Sequence, residues 1–249
     1  METLLLITEV TTMRDGRVCI AGVDRTYKAI RPVLPHHIYK RHLYLSTGQA
    51  IYPRAVISLD LTPEDDLDRP HLEDCRWDTT QPTTFERETS PDNWKRVLTE
   101  TAATSIEDLF GTEVHRGENV AAGSGLRSLG TLVPERITNL WHKSHDQRQH
   151  QYRLEFYDST GQQFDIPIND LTVQTYIQRL QHNGFKMDYI ETLLVDRFNR
   201  GEVYLRLGLT RPWNGWCWLQ VTGVYTFPDY LAGKNFTEIE LFSEDPTPN

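Results

Sequence analysis

The chain has 249 residues, a formal net charge of −9 and 38% hydrophobic residues. This composition can build a core and excludes a wholly disordered chain, and the negative charge argues against general DNA binding through long-range attraction. No apolar run approaches the roughly 20 residues that cross a bilayer, and three scattered cysteines favour a reducing compartment, so we expect a cytoplasmic protein with no membrane partner.

The charge is unevenly distributed along the sequence. Residues 1–59 hold eight basic and four acidic residues, residues 60–120 hold six and sixteen, and residues 121–249 hold twelve and fifteen. A polyanionic ligand would therefore have to meet a local basic patch, with the acidic middle of the chain turned away.

Short strands are predicted in the first sixty residues. The Asp15-Gly16 dipeptide is a strong turn signal between the first two of them. Four short strands with turns between them indicate a meander or a small barrel. Residues 63–89 lose this pattern, and we expect an irregular, acidic connection there. The four predicted strands are residues 4–10, 17–23, 27–31 and 56–61.

Helices and a second group of strands are predicted in the rest of the chain. Ser90 followed by Pro91 is a helix start, and Thr104 with Glu107 fits a capping box before a second helix. Further helices are predicted to begin at Asp170 and Asp188, and residues 243–249 to form a frayed tail. The later predicted strands are residues 128–133, 152–157, 163–167, 203–210 and 216–227.

Each half of the chain therefore holds four or five strands and a helix, the inventory of an oligonucleotide/oligosaccharide-binding (OB) barrel. We predict a mainly β chain with a few helices (α+β), built as two OB-like small barrels packed together. The predicted boundaries are 1–88 for the first barrel with its acidic connection, 89–120 for a helical connector and 121–249 for the second barrel with its helices.

Several motifs follow one another along nearly the whole chain. They are residues 8–22 with Ile30-Arg31-Pro32-Val33, Pro70-His71-Leu72-Glu73-Asp74, Arg127-Ser128-Leu129-Gly130, and residues 205–211 with 218–225. Together they resemble a family of uncharacterised bacterial proteins described as dual-OB-containing domains. The resemblance implies two OB-like barrels and a role related to nucleic acid or nucleotides, and it implies no established activity.

The candidate ligand-binding residues are concentrated near the end of the chain. Alternation along strand 216–227 places Cys217 and Leu219 on the core face and leaves Trp216 and Trp218 on the other face. Aromatic faces stack the bases of single-stranded nucleic acid and arginines bind its phosphates, whereas the same tryptophans could instead pack between the two halves. Both interpretations stay open at this stage. The candidate ligand-binding residues are Arg31, Arg127, Arg206, Arg211, Trp213, Trp216, Trp218 and Tyr225.

Two of these arginines also have simpler explanations. Arg127 follows a glycine-serine loop that could bring backbone amides onto a phosphate or could be a plain linker. Arg31 could belong to a basic face or be an ordinary solvated charge.

No catalytic constellation is found in the sequence. His71, Glu73, Asp74 and Cys75 are metal-ligand types, but no Cys-x-x-Cys or His-Glu-x-x-His spacing supports a metal site. We predict no catalytic residue, no metal and no cofactor, and we expect a non-catalytic module that binds nucleic acid or a nucleotide. The alternatives are a protein–protein interaction or adaptor subunit and, less favoured, a nucleotide-processing enzyme of unrecognised type.

Overall fold

The structure is a computed structural model in which residues 2–145 and 149–241 are described. Strands make up 42% and helices 22% of the chain, which confirms the predicted mainly β class with a few helices. Two barrel-like units are present, a closed five-stranded barrel and a curled half-barrel sheet. Residues 243–249, the predicted frayed tail, lie outside the described residues.

The N-terminal unit is one sheet that closes on itself. Its strands are β1 (Glu2–Thr12), β2 (Arg17–Val23), β3 (Ala29–Val33), β4 (Ile38–Tyr39), β5 (Ala55–Pro63), β6 (Asp74–Trp77) and β7 (Thr84–Glu88). The first half of β1 pairs with β5 and its second half pairs with β2. Because β3 pairs in parallel with β6, and β6 pairs with β5, the ring β1-β2-β3-β6-β5 is closed. This closed ring is compatible with an OB-like barrel.

The prediction of an irregular connection over residues 63–89 is wrong, because β6 and β7 lie within it. β6 is the strand that closes the ring. Its polar residue Asp74 is buried against Arg31 of β3, so the strand lacks the alternation of apolar and polar residues that marks strands in the sequence.

The core of the closed barrel is aliphatic. Leu5 and Ile7 of β1 point inward with Ile20 of β2 and Ile57 of β5, and all four side chains are fully buried. Phe236, near the end of the described chain, is also fully buried in this core. The C-terminal segment therefore packs back onto the first barrel.

The second unit holds two further sheets. Its strands are β8 (Ala102–Ala103), β9 (Asn119–Ala121), β10 (Leu129–Leu132), β11 (Arg136–His145), β12 (Gln149–Tyr157), β13 (Gln163–Pro167), β14 (Glu202–Leu209) and β15 (Trp216–Phe227). The five-stranded sheet has the order β8-β10-β14-β15-β9, and the three-stranded sheet has the order β11-β12-β13. A bridge from Ile168 to Val221 links the two sheets. β8 and most of β9 come from residues 89–120, the predicted helical connector.

Five helices are found among the described residues. They are α1 (Pro91–Glu100), α2 (Ile106–Phe110), α3 (Leu171–His182), α4 (Met187–Phe198) and α5 (Phe236–Leu241). Ser90 and Asp170 cap α1 and α3 as predicted, since their side chains accept hydrogen bonds from backbone amides of the first turn. The cap of α2 is Ser105 rather than Thr104, and α4 begins one residue before Asp188. None of these helices combines the length and apolar character needed to cross a bilayer.

Candidate ligand-binding surface at the junction of the two units

A buried ion pair joins the two units. Arg206 on β14 donates from Nε to Glu9 Oε2 (2.6 Å) and from Nη2 to Glu9 Oε1 (3.2 Å), and Glu9 belongs to β1. A third hydrogen bond runs from Arg206 Nη1 to the Thr131 hydroxyl at 2.9 Å. Arg206 is only 1% exposed. The guanidinium is therefore held by Glu9 of the first unit and by Thr131 of its own unit.

Tyr225 lies at the same contact between the units. Its hydroxyl donates to the backbone carbonyl of Thr8 (2.6 Å), and its ring meets Trp94 of α1 edge-on with centroids 4.9 Å apart. Burial is the main reason that its pKa is raised well above the ordinary value, so the hydroxyl keeps its proton. Arg206 and Tyr225 were both predicted to bind a ligand, and here both side chains are directed at the first unit. Their ligand role stays a prediction.

A second charged cluster lies where β6 meets the turn between β14 and β15. The Asp74 carboxylate accepts Arg31 Nε at 2.7 Å and also binds the guanidinium of Arg211. Arg31 is 7% exposed, whereas the Arg211 side chain is 57% exposed. Arg31 therefore serves as a buried partner of Asp74, and Arg211 presents half of its surface to solvent.

His71 and Glu73 form further hydrogen bonds between the two units in the same region. His71 Nε2 donates to the carbonyl of Thr210 at 3.1 Å. Burial, together with the charges of Arg31 and Arg211, lowers the pKa of His71 to about 4, so the ring is neutral near pH 7. The Glu73 carboxylate accepts the backbone amide of Ser128 (2.6 Å) and the Ser128 hydroxyl (3.1 Å). These residue types resemble metal ligands, but no group of three or more His, Cys, Asp or Glu among residues 2–145 and 149–241 is placed to hold a metal ion.

Hydrogen bonds bring three chain segments together beside this charged cluster, namely the segment at Arg69, the loop 122–128 and the β14–β15 hairpin. Arg69 Nη1 donates to the carbonyl of Gly125 (2.8 Å), and the amide of Gly123 donates to the carbonyl of Arg69 (3.1 Å). The amide of Ala122 donates in turn to the carbonyl of Gly215 (2.9 Å). The loop at 122–128 is therefore fixed between the first barrel and the hairpin of the second unit. Arg127 is exposed on this loop.

The β14–β15 hairpin presents its tryptophans on a tight turn. Asn214 and Gly215 have φ angles of 49° and 81°, as the two-residue turns of β-hairpins require. The backbones of Trp213 and Trp216 exchange hydrogen bonds of 2.9 and 3.1 Å across this turn. Trp213 is 66% exposed, the most exposed large hydrophobic side chain among the described residues. Trp213 is therefore held by a hydrogen-bonded turn.

The other tryptophans of the hairpin are half-buried. The Trp216 ring stacks on His115 with centroids 4.9 Å apart and planes 20° from parallel. Cys217 and Leu219 are buried in the core, as the alternation predicted, so Trp216 and Trp218 lie on the opposite face. A stacked, partly exposed ring pair next to an exposed tryptophan is an arrangement on which flat ligands can stack.

We refer to this region as the junction surface. Its members share a position at or next to the three converging segments, and all of them are exposed or half-buried. They are Arg69, His115, Arg127, Arg211, Trp213, Trp216 and Trp218.

Arg69 and His115 were not among the residues predicted from the sequence. His115 lies 101 positions before Trp216, and no local pattern couples the two rings. Comparison of the chain with models of known protein families and with curated proteins found no match.

Proposed function

We propose that this protein is a non-catalytic module that binds nucleic acid or a nucleotide on the junction surface. The observation that carries the proposal is the exposed Trp213 on a hydrogen-bonded hairpin turn, next to the stacked Trp216–His115 pair and the half-exposed Arg211. Bases stack on aromatic faces, with each stacked base contributing roughly 1–3 kcal/mol, while arginines bind the phosphates.

The local charge also supports this proposal. Arg69, Arg127 and Arg211 supply three guanidiniums to the junction surface, although the chain as a whole has a net charge of −9. The charge of Arg211 is partly balanced by Asp74, so the electrostatic attraction is modest. We therefore expect stacking to contribute more of the affinity than phosphate contacts do.

The fold gives weaker support. OB barrels commonly hold oligonucleotides, and the first unit is compatible with an OB-like barrel. Fold alone does not determine function, so the residues of the junction surface carry more weight than the barrel does. We also propose that the chain is a bacterial member of the dual-OB-containing family and that it is cytoplasmic.

The second candidate function is that of a protein-interaction or adaptor subunit. Leu126, beside Arg127 in the chain, is 55% exposed, and Trp213 on the hairpin is 66% exposed. Exposed large apolar side chains are also found at surfaces that bind another protein.

The direct test is titration with short single-stranded DNA and RNA at low salt while tryptophan fluorescence is followed. We expect quenching that saturates at micromolar oligonucleotide and weakens as salt is raised. Heparin is the matched polyanion without bases and should quench far less. Absence of any response up to high micromolar oligonucleotide would contradict nucleic-acid binding, and light scattering of the protein with extracts of its host would then test the adaptor function.

A further inference from the structure

A cavity lies at the contact between the two units and shares no residue with the junction surface. Its volume is about 390 Å³, and its lining comes from the first unit, α1, the start of α3, β15 and the segment 228–235. Ligand sites in proteins commonly measure about 300–1,000 Å³, so this cavity is large enough for a small molecule.

The lining of this cavity is mainly apolar and aromatic. Four aromatic side chains contribute to it, from α1, from β15 and from the segment that follows β15. Aliphatic side chains and a proline complete the apolar surface. Rings pack well against aromatic side chains, so this lining favours an aromatic ligand. The apolar and aromatic residues that carry this argument are Pro53, Trp94, Val224, Tyr225, Phe227, Tyr230 and Leu231.

The charged groups of the lining are already bound to other groups. Asp170 accepts backbone amide hydrogen bonds at both of its carboxylate oxygens, at 2.7 and 2.9 Å. Arg54 binds Glu88 at 3.0 Å and Asp229 at 3.2 Å. Lys234 likewise has a partner. A charged ligand would therefore lose water without gaining a counter-ion, and the cavity favours a neutral one.

Tyr230 gives this lining a polar group without a partner. Its hydroxyl oxygen is buried and has no hydrogen-bond partner among residues 2–145 and 149–241. Burial and the nearby Asp170, Asp229 and Tyr225 raise its pKa well above the ordinary value, so the hydroxyl keeps its proton and can donate. These three neighbours all line the cavity, which places the hydroxyl beside it. A buried donor without an acceptor is costly, and an acceptor atom on a bound ligand removes that cost.

We propose that this cavity binds a neutral aromatic compound that carries a hydrogen-bond acceptor such as a carbonyl oxygen. The ring of the compound packs against Trp94, Phe227 and the other aromatic side chains, and its oxygen accepts a hydrogen bond from the Tyr230 hydroxyl. Because the lining comes from both units, the bound compound contacts both of them. Binding should therefore also raise the thermal midpoint of the protein.

The test is a titration of the full chain with acetophenone, ethylbenzene and benzoate, followed by NMR of the backbone amides. The three probes share one ring and a similar size, and they carry a ketone, a hydrocarbon chain and a carboxylate. We expect acetophenone to shift the amide signals of Val224 and Leu231 until they saturate. Benzoate should bind far more weakly than acetophenone, because it is charged.

Tyr230→Phe removes the hydroxyl and keeps the ring. It should weaken acetophenone binding about 2- to 10-fold, as loss of a neutral hydrogen bond implies, and leave the affinity for ethylbenzene unchanged. Without ligand, this variant should keep or raise the thermal midpoint, because the hydroxyl that it removes has no partner among the described residues. Tyr157→Phe is the matched control, since Tyr157 lies on β12 outside the cavity.

Trp213→Ala, on the junction surface, should leave the affinity for acetophenone unchanged, which separates this site from the proposed function. Unshifted Val224 and Leu231 amides up to the solubility limit of acetophenone would overturn the proposal. Benzoate binding as tight as that of acetophenone would overturn it too, and so would equal acetophenone affinities of the wild-type protein and Tyr230→Phe.

Discussion

The guanidinium of Arg206 and the carboxylate of Glu9 bind each other with two hydrogen bonds, and each side chain is only 2% exposed. The two residues lie 197 positions apart in the chain and belong to different units. The barrel and the curled sheet are therefore joined by a buried charge pair in addition to apolar packing.

Removal of one member of this pair should be strongly destabilising. Arg206→Met leaves the Glu9 carboxylate buried without a cation, and we expect the free energy of unfolding to fall by about 3–5 kcal/mol. The double variant Arg206→Met/Glu9→Leu removes both charges and should recover much of this loss. Urea denaturation measures both values.

The control for that experiment is Lys95→Met, which breaks the exposed ion pair with Glu202 and should change stability little. If Arg206→Met were as harmless as Lys95→Met, the buried pair would not stabilise the junction.

His71 should make the protein sensitive to acid. Its pKa of about 4 lies below the ordinary value of 6.5, so between pH 6.5 and 4 the unfolded chain binds more protons than the folded one. Stability therefore falls as the pH is lowered through this window, by roughly 3 kcal/mol from this group. His71→Gln can keep the hydrogen bond to Thr210 without titrating, and its stability should vary less with pH.

Denaturation curves at several pH values between 4 and 7 provide the measurement for His71. His182→Gln changes an exposed histidine and should retain the wild-type pH dependence. Parallel pH profiles for the wild-type protein and His71→Gln would show that the buried imidazole does not resist protonation.

Arg211 and Arg31 both bind Asp74, but replacing Arg211 should affect stability much less than replacing Asp74. Arg211→Gln removes a half-exposed charge, so stability should change little, while binding to single-stranded DNA should weaken and depend less steeply on salt, by about one unit of slope. Asp74→Asn leaves the buried Arg31 without an anion and should cost about 3–5 kcal/mol of stability. An unchanged salt slope for Arg211→Gln would remove this residue from the binding surface.

The closed barrel depends on a close backbone approach at Gly22. A Cβ atom added there would lie 2.3 Å from the carbonyl oxygen of Leu6 in the neighbouring strand. We expect Gly22→Ala to lower the free energy of unfolding by about 1–3 kcal/mol or more, because the backbone has to shift. The thermal midpoint reports this change, and a midpoint equal to that of the wild-type protein would contradict the observed pairing of β1 with β2.

The strands with a regular pattern could be predicted from the sequence. Strands were predicted at residues 4–10 and 17–23, where β1 and β2 lie, and the Asp15-Gly16 dipeptide marks the turn between them. The alternation along β15 also placed Cys217 and Leu219 in the core. These features are local, since a few neighbouring residues determine each of them.

The junction could not be predicted in the same way. Asp74 binds Arg31 across 43 positions and Arg211 across 137, and no local pattern indicates either contact. Because β6 carries buried charges, the sequence placed it in an irregular, acidic connection. The sequence shows His71, Glu73 and Asp74 close together. Their hydrogen-bond partners in the second unit are Thr210, Ser128 and Arg211, and only the structure shows these contacts.

Binding of nucleic acid at the junction surface is tested most directly by the affinity of Trp213→Ala for a labelled single-stranded DNA, measured by fluorescence anisotropy at low salt. Trp213 is 66% exposed, so the variant should keep its thermal midpoint, and the loss of one stacked base predicts binding about 5- to 150-fold weaker. Tyr189→Ala, which removes a 51% exposed aromatic ring from α4, should bind like the wild-type protein. Equal affinity of Trp213→Ala and Tyr189→Ala would contradict ligand binding at the junction surface.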